Sequence, residues 1–297
     1  MAKRVGNSAT IDVRGALREA MTRLSEAEVP SHALAAELLL MHVLGRERTW
    51  LYSNPEAALD AAEANKYFAL VARRLAGTPT QYLTGKQEFW GLEFEVTPAV
   101  LIPRPETEHV IEVALERWGV GNAQKPLRVA DVGTGSGCIA VALAHELPHA
   151  EIVATDISPD ALEVARRNAG RHGVAGRVRF VECNLLDSLA GELRRFDLIV
   201  SNPPYVAREE ETQLPREVRE HEPHSALFAG LSGGEMYRPL ITQAAQLLRQ
   251  GGVLVVEIGH GALERVRALF DDSRAWNRMR VADDLAGIPR VISAERA

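Results

Sequence analysis

Asn202-Pro203-Pro204-Tyr205 follows an apolar run of strand length, Phe196 to Val200. Two consecutive prolines lack N–H groups and fix φ, so the chain leaves a strand there in a stiff, extended turn. Such a turn displays acceptors: the Asn202 side-chain oxygen and the carbonyls of Asn202 and Pro203. A planar NH2 group needs acceptors in its own plane, and Tyr205 can wall its flat face. The chemistry offered is that of a pocket for an amide or amino nitrogen. Taken alone, the motif is equally a rigid turn after a buried strand, and residues upstream decide between the two.

Three stretches upstream carry complementary groups. Asp131-Val132-Gly133-Thr134-Gly135-Ser136-Gly137 follows one strand pattern and opens a helix. Its glycines let the backbone bend sharply and approach a ligand. The spacing is G-x-G-x-G, which departs from the G-x-G-x-x-G of dinucleotide folds and suits a ligand without a pyrophosphate. Asp156 ends a second strand about 20 residues beyond the glycines, where an acidic residue accepts both hydroxyls of a ribose. Asn184 and Leu185 end a third, with an amide for an adenine amino group and an apolar shelf for its face. A nucleoside-bearing ligand held by these loops would present its reactive end to Asn202.

Alternating strands and helices from Leu127 onward position these loops. Strands are read at Arg128 to Val132, Glu151 to Thr155, Val178 to Val181, Asp197 to Ser201 and Val253 to Ile258. Two more, around Arg280 to Ala282 and Arg290 to Ser293, close the sheet as a hairpin. The expected class is α/β, a mostly parallel sheet covered on both faces. Val206 to Gly230 is polar, weakly periodic and too long for an ordinary loop, so a lid, a binding segment or a short helix is expected there.

Before Leu127 the pattern is helical as far as Gly77. Val13, Leu17, Ala20, Met21 and Leu24 form one stripe, and Leu34, Leu38, Met41 and Leu44 another; both are read as core. Asn54-Pro55 reads as a helix start, and Asp60 with Glu63 as a capping box ahead of Tyr67, Leu70, Val71 and Leu75. Phe89 to Val96 reads as a β-hairpin turning near Gly91, and Pro105 as the first helical residue of the next helix. Arg104 and Glu106 either face a ligand or pair with each other. The expected domains are residues 1–84, helical; 85–105, a hairpin linker; and 106–297, the α/β domain.

Composition narrows the function class. The chain has 297 residues, 46% hydrophobic and 25% charged, with a net charge of −6. That balance argues against a broad electrostatic footprint on duplex DNA, and Arg166, Arg167, Arg171, Arg177 and Arg179 read as a solvated face. The two cysteines, Cys138 and Cys183, show neither CxxC nor Cys/His ligand spacing, so reduced thiols, no metal site and a cytoplasmic protein are expected. No apolar run approaches the roughly 18 residues of a membrane span.

D-V-G-T-G-S-G, A-T-D-I-S-P-D-A-L and V-S-N-P-P-Y together resemble the class I methyltransferases, which use S-adenosyl-L-methionine and modify amide or amino nitrogens. Adenine-specific DNA methyltransferases share the N-P-P-Y turn. T-P-T-Q-Y-L-T-G-K-Q-E-F-W-G-L, L-I-P-R-P-E-T-E, G-L-S-G-G-E-M-Y-R-P-L-I and D-L-A-G-I-P-R-V-I extend the resemblance, from about Leu17 to Val291, to the HemK-type protein-glutamine methyltransferases. The resemblance implies a Rossmann-like seven-stranded sheet with a helical N-terminal substrate-recognition domain joined by a β-hairpin. It also implies a cytoplasmic, monomeric enzyme that methylates the glutamine of the Gly-Gly-Gln loop in class I peptide chain release factors. Carried over by position, Gly133, Thr134, Gly135, Ser136, Gly137, Asp156, Leu185 and Asn202 hold the cofactor. Asn202, Pro203, Pro204 and Tyr205 bind the glutamine amide, with Asn202, Pro203 and Tyr205 as the catalytic set. The family often has Tyr and Arg at the positions of His221 and His224, and Asp at that of Asn184. Other classes carry distinct signatures: a nucleic-acid methyltransferase a basic groove, a nicotinamide enzyme the other glycine spacing, and a non-catalytic scaffold no intact acceptor turn.

Overall fold

The computed structural model describes residues 11–119 and 125–297. The chain divides into two compact units, one running to Gly85 and including Arg216–His221, the other comprising Lys86–Pro215 and Glu222–Ala297.

The first unit is helical: α1 (Val13–Glu26), α2 (His32–Leu44), α3 (Arg48–Ser53), α4 (Ala61–Leu75) and α5 (Thr80–Thr84). The Asp12 carboxylate caps α1 by accepting from the Gly15 N–H at 2.7 Å. The face read for this helix is buried at Val13, Leu17, Ala20 and Leu24. The α4 capping box forms as read, with Asp60 and Glu63 each accepting from the other's N–H at 2.8 Å. Two readings reverse. Helix α2 buries Ala35, Ala36, Leu39 and Leu40, while Leu34 is 46% exposed. This helix is apolar nearly all round, so spacing alone leaves its buried face open. Buried Tyr67 helps to set it by donating its hydroxyl to the Ala36 carbonyl at 3.1 Å. Asn54 ends α3 rather than starting a helix, its side-chain amide and N–H both bonding the Trp50 carbonyl.

Part of the long polar stretch also belongs to this unit. Val206 to Gly230 forms a strand β7 (Val206–Ala207), a 3-10 turn at Arg208–Gln213, helices α9 (Arg216–His221) and α10 (His224–Leu227), and a strand β8 (Phe228–Gly230). Of these, α9 clusters with the helical unit, where the buried Arg74 guanidinium meets Glu217 at 2.5 Å.

The second unit opens with the hairpin β1 (Lys86–Phe89) and β2 (Leu92–Glu95), whose turn residues Trp90 and Gly91 both have positive φ. That pairing is the primed turn that suits strand twist. Seven strands then form the main sheet: β3 (Leu127–Val132), β4 (Ala150–Asp156), β5 (Val178–Glu182), β6 (Phe196–Ser201), β9 (Leu248–Glu257), β10 (Trp276–Asp283) and β11 (Pro289–Arg296). Their order is β10-β11-β9-β6-β3-β4-β5. The five from β9 to β5 run parallel; β11 pairs antiparallel with β9, and β10 pairs antiparallel with β11, so β11 alone runs against the rest.

Side chains alternate between two cores, which explains the near-continuous apolar strand patterns. Leu198 and Val200 pack on one face with α6 (Glu108–Trp118) and α7 (Cys138–Glu146). Ile199 packs on the other with α11 (Tyr237–Leu247) and α12 (Leu263–Ser273). Chain order reverses between β3 and β6: strands before β6 extend the sheet to one side of β3, and those after it to the other. That reversal opens a crevice beyond the strands' carboxyl ends, between the loops after β3 and β6.

Candidate active site

The loop after β3 is braced from beneath. Asp131 is fully buried, and one of its carboxylate oxygens accepts from the Thr134 hydroxyl at 2.6 Å and the Ala140 N–H at 3.1 Å. Burial pushes its pKa up to about 7. The turn is strapped to β4 by the N–H groups of Gly133 and Thr134, both donating to the Thr155 carbonyl at 2.9 Å. Gly133, Gly135 and Gly137 all have positive φ. At Gly137 the requirement is double, because a Cβ there would also stand 3.0 Å from the Ala165 Cβ of α8 (Pro159–Arg171).

Asp156 ends β4 beside this turn. Its two oxygens accept from the Gly135 and Ser158 N–H groups, each at 2.9 Å. Each retains lone-pair capacity for further donors. Burial raises its pKa, against the pull of those backbone donors. The next residue, Ile157, is 61% exposed although large and apolar. Across from the strand end, Leu185 is held at φ +50, with its carbonyl accepting from the Thr155 hydroxyl at 2.7 Å.

Asn202 leaves β6 next to the glycine turn; a Cβ on Gly133 would lie 3.9 Å from the Asn202 carbonyl oxygen. The Asn202 side-chain amide donates to the Thr107 hydroxyl at 3.0 Å, and that hydroxyl donates to Glu257 at 2.7 Å. One amide hydrogen is thus engaged, and among the described residues no donor meets the side-chain oxygen. Glu257 ends β9 and is 1% exposed; burial lifts its pKa to about 7.

These residues converge on one cavity of about 270 Å³, lined by Gly133, Gly135, Asp156, Asn184, Leu185, Asn202, Pro203 and Pro204. A smaller cavity of about 40 Å³ shares Gly133, Gly135 and Asn202 and adds Thr107, Thr134 and Ser136. Gly137 and Tyr205 line neither. The Tyr205 ring packs against Gly259, where a Cβ would come within 2.9 Å, and its hydroxyl reaches Glu257 at 3.4 Å. A wider depression at Ser188 and Gly191 to Arg194 has no converging polar groups, since its Glu192 is already committed to Arg128 and Arg179.

Three features escaped the sequence reading. Ile157, Thr107 and Glu257 were assigned no role, although L-I-P-R-P-E-T-E contains Thr107 and was the available signal, while Pro223, Ser225, Ala226 and Phe228, within the stretch read as a lid, binding segment or short helix, line the cavity. Arg104 pairs with buried Glu222 instead of Glu106, and Glu222 also accepts from the Ile102 N–H at 3.2 Å. His224 stacks edge-on against Phe228. The five arginines read as a solvated face are each engaged: Arg166 with Glu163, Arg167 with Glu95, Arg171 with Glu93, Arg179 with Glu192, and Arg177 with the Ala144 and Leu147 carbonyls. Cys138 and Cys183 are free thiols. No helix among the described residues is long and apolar enough to cross a membrane.

Residues 15–85 match the family model of the PrmC N-terminal domain, and residues 121–221 that of the methyltransferase small domain. The release factor glutamine methyltransferase of Koribacter versatilis is 44% identical over 94% of this chain and 97% of its own length. That of Geobacter sulfurreducens is 45% identical over 91% of both chains. The chain belongs to the release factor glutamine methyltransferase family. A bifunctional methyltransferase of Rickettsia conorii is 35% identical over 94% of this chain, which spans 57% of that protein. Among solved structures, the human METTL16 catalytic domain in complex with an RNA hairpin superposes with a TM-score of 0.56 at 18% identity, over 76% of this chain and 81% of that one. The Thermus thermophilus rRNA methyltransferase RsmC gives 0.53 at 21% identity, over 71% and 50%. At such identities these two speak for the fold alone. The seven-stranded sheet is therefore that of a Rossmann-like methyltransferase, and the chain is a methyltransferase.

Proposed function

We propose that this enzyme transfers a methyl group from S-adenosyl-L-methionine to the side-chain amide nitrogen of the glutamine in the Gly-Gly-Gln loop of class I peptide chain release factors. The observation that carries the reading is Asn202. Its side-chain oxygen is left free as an acceptor at the strand-reversal crevice, beside the Gly133 to Gly137 turn. Names borne by relatives 44% identical over nearly the whole chain support the same substrate.

The residues fit that cofactor. Asp156 offers carboxylate lone pairs to a ribose, while exposed Ile157 and shelf-like Leu185 offer apolar surface for a purine. Asn184 lines the same cavity with an amide group. The cofactor supplies an electrophilic methyl group on a sulfonium. An amide nitrogen is a poor nucleophile, because its lone pair is delocalised into the carbonyl. Asn202 and the Pro203 carbonyl would accept both amide hydrogens, fix the nitrogen in line and raise its electron density. Positioning of this kind contributes on the order of 7 to 11 kcal/mol to a barrier. Tyr205, braced by Gly259 and Glu257, keeps the turn from shifting. No general base need act first, since the proton is easily lost once the nitrogen is methylated.

In this reading residues 1–84 form the substrate-recognition domain, 85–105 the linker and 106–297 the catalytic domain. The enzyme acts in translation termination, in the cytoplasm, as a monomer without a DNA partner. The engaged arginines support the last point, since each cation already has an acidic or carbonyl partner.

Transfer of labelled methyl from S-adenosyl-L-methionine tests the proposal with three acceptors: a class I release factor, its loop glutamine-to-alanine variant, and a DNA duplex. Label on the intact factor alone is expected. Label on DNA alone would make the acceptor turn an adenine site and overturn the reading.

A further inference from the structure

Thr107 closes the 3-10 turn Pro105–Thr107 and is 3% exposed. Its hydroxyl lies between the Asn202 side-chain nitrogen, at 3.0 Å, and a Glu257 carboxylate oxygen, at 2.7 Å. A hydroxyl has one proton to give, and an ionised carboxylate can only accept. While Glu257 is ionised, the Thr107 proton goes to it, and only an oxygen lone pair remains for Asn202. A lone pair can be met by the amide NH2 group but not by its oxygen. Asn202 must then turn its nitrogen to Thr107 and its oxygen to the cavity. We propose that Thr107 and Glu257 are positioning residues that set the direction of the Asn202 amide, and that this direction makes the pocket select an amide nitrogen over a carboxylate. The inference rests on the reading that the substrate is a glutamine side chain.

An amide is nearly symmetric in shape, so shape alone holds neither orientation. Reversed, Asn202 would present a donor to the pocket and favour glutamate over glutamine at the same site. Burial of a polar group without a matching partner is costly, so the direction of Thr107's single proton passes to Asn202 as an energetic preference. Glu257 is itself held in place. Tyr205 reaches it from the acceptor turn, and Tyr237, from α11, sets its hydroxyl 3.4 Å from the Glu257 carbonyl. Arg290 favours its ionised form and Glu106 opposes it. None of these groups could be assigned to glutamine selection from the acceptor turn alone, because Thr107 and Glu257 come from two other segments of the chain.

Three variants test the relay in the full-length enzyme. Thr107→Val keeps the shape and deletes the hydroxyl, Thr107→Ser restores it, and Glu257→Gln replaces the carboxylate with an amide that can also donate. Wild-type transfer to the loop glutamine first establishes the substrate reading, by a result that none of the variants enters. The readouts are kcat, the cofactor dissociation constant by calorimetry, and the affinity ratio for release factors carrying glutamine or glutamate in the loop. Thr107→Val should lower kcat roughly ten- to hundredfold, below the scale of deleting a direct transition-state contact. It should lower the glutamine-to-glutamate ratio about tenfold, with cofactor affinity kept within about twofold. Thr107→Ser should restore the ratio, and Glu257→Gln should lower it. A ratio unchanged in Thr107→Val, or one that Thr107→Ser fails to restore, overturns the proposal. A ratio unchanged in Glu257→Gln overturns the part assigned to Glu257.

Discussion

The two ends of the cavity are built in opposite ways. At the glycine end, the bracing contacts are short in sequence or reach the neighbouring strand or helix: Asp131 to Thr134, Gly133 to Thr155, Gly135 to Asp156, and Ser136 to Asn168 of α8. At the acceptor end, Asn202 is oriented by Thr107, 95 residues away, and Thr107 by Glu257, 150 residues away. The first end relies on backbone N–H groups and missing Cβ atoms, the second on a chain of side-chain protons. Backbone cradles tolerate changes in a ligand's identity and set where it lies. Side-chain relays set which atom of a ligand is accepted.

Substitutions at the two ends should separate binding from turnover. Asn202→Ala should produce the largest effect, a loss of roughly a hundredfold or more in kcat with little change in cofactor affinity. Single-turnover kinetics beside calorimetry would check it, and equal losses in both constants would erase the distinction. Asp156→Ala should do the reverse, weakening cofactor binding by about tenfold or more while turnover at saturation changes less. An unchanged cofactor constant would remove the ribose contact from the glycine end.

A stability measurement sharpens the contrast further. Gly137→Ala would place a side chain at φ +82 and 3.0 Å from Ala165. It should cost on the order of 1 to 3 kcal/mol, read as a lowered Tm. The smallest expected effect concerns pH. The Glu257 pKa is raised in the fold to about 7, from an ordinary 4.5, chiefly by burial. The folded state therefore holds the proton more tightly than the unfolded chain does. The stabilising effect of this carboxyl is complete below its unfolded pKa and is lost as pH rises through about 7. Glu257→Gln should then gain in Tm relative to wild type at about pH 8.5 but not at about pH 5. A gain confined to acid pH would contradict the burial argument. The relay needs the ionised form that the fold disfavours, so substrate selection at the acceptor end works against stability.

Legibility in the sequence followed the same division. The strand-and-helix alternation, the glycine turn and Asp156 all depend on residues within a few positions of one another. The α2 face was misread because Leu34, Leu38, Met41 and Leu44 share their helix with equally apolar neighbours at Leu39 and Leu40. Where the local pattern has no polar side, only a partner such as Tyr67 breaks the tie. The Val206 to Gly230 stretch was left open because its pieces are each too short for a period to register. Arg104 and Glu106 were read as facing a ligand or pairing with each other, whereas the partner of Arg104, Glu222, lies 118 residues away.

The sequence by itself determined the sheet's alternating pattern, the acceptor turn and the groups set to surround a nucleoside-bearing cofactor. These follow from proline and glycine backbone limits and from side-chain period, which act over a few residues. Only the tertiary structure decided which way the Asn202 amide faces. A hydroxyl proton has no direction until its two neighbours are known, and here those neighbours, Asn202 and Glu257, come from different strand ends.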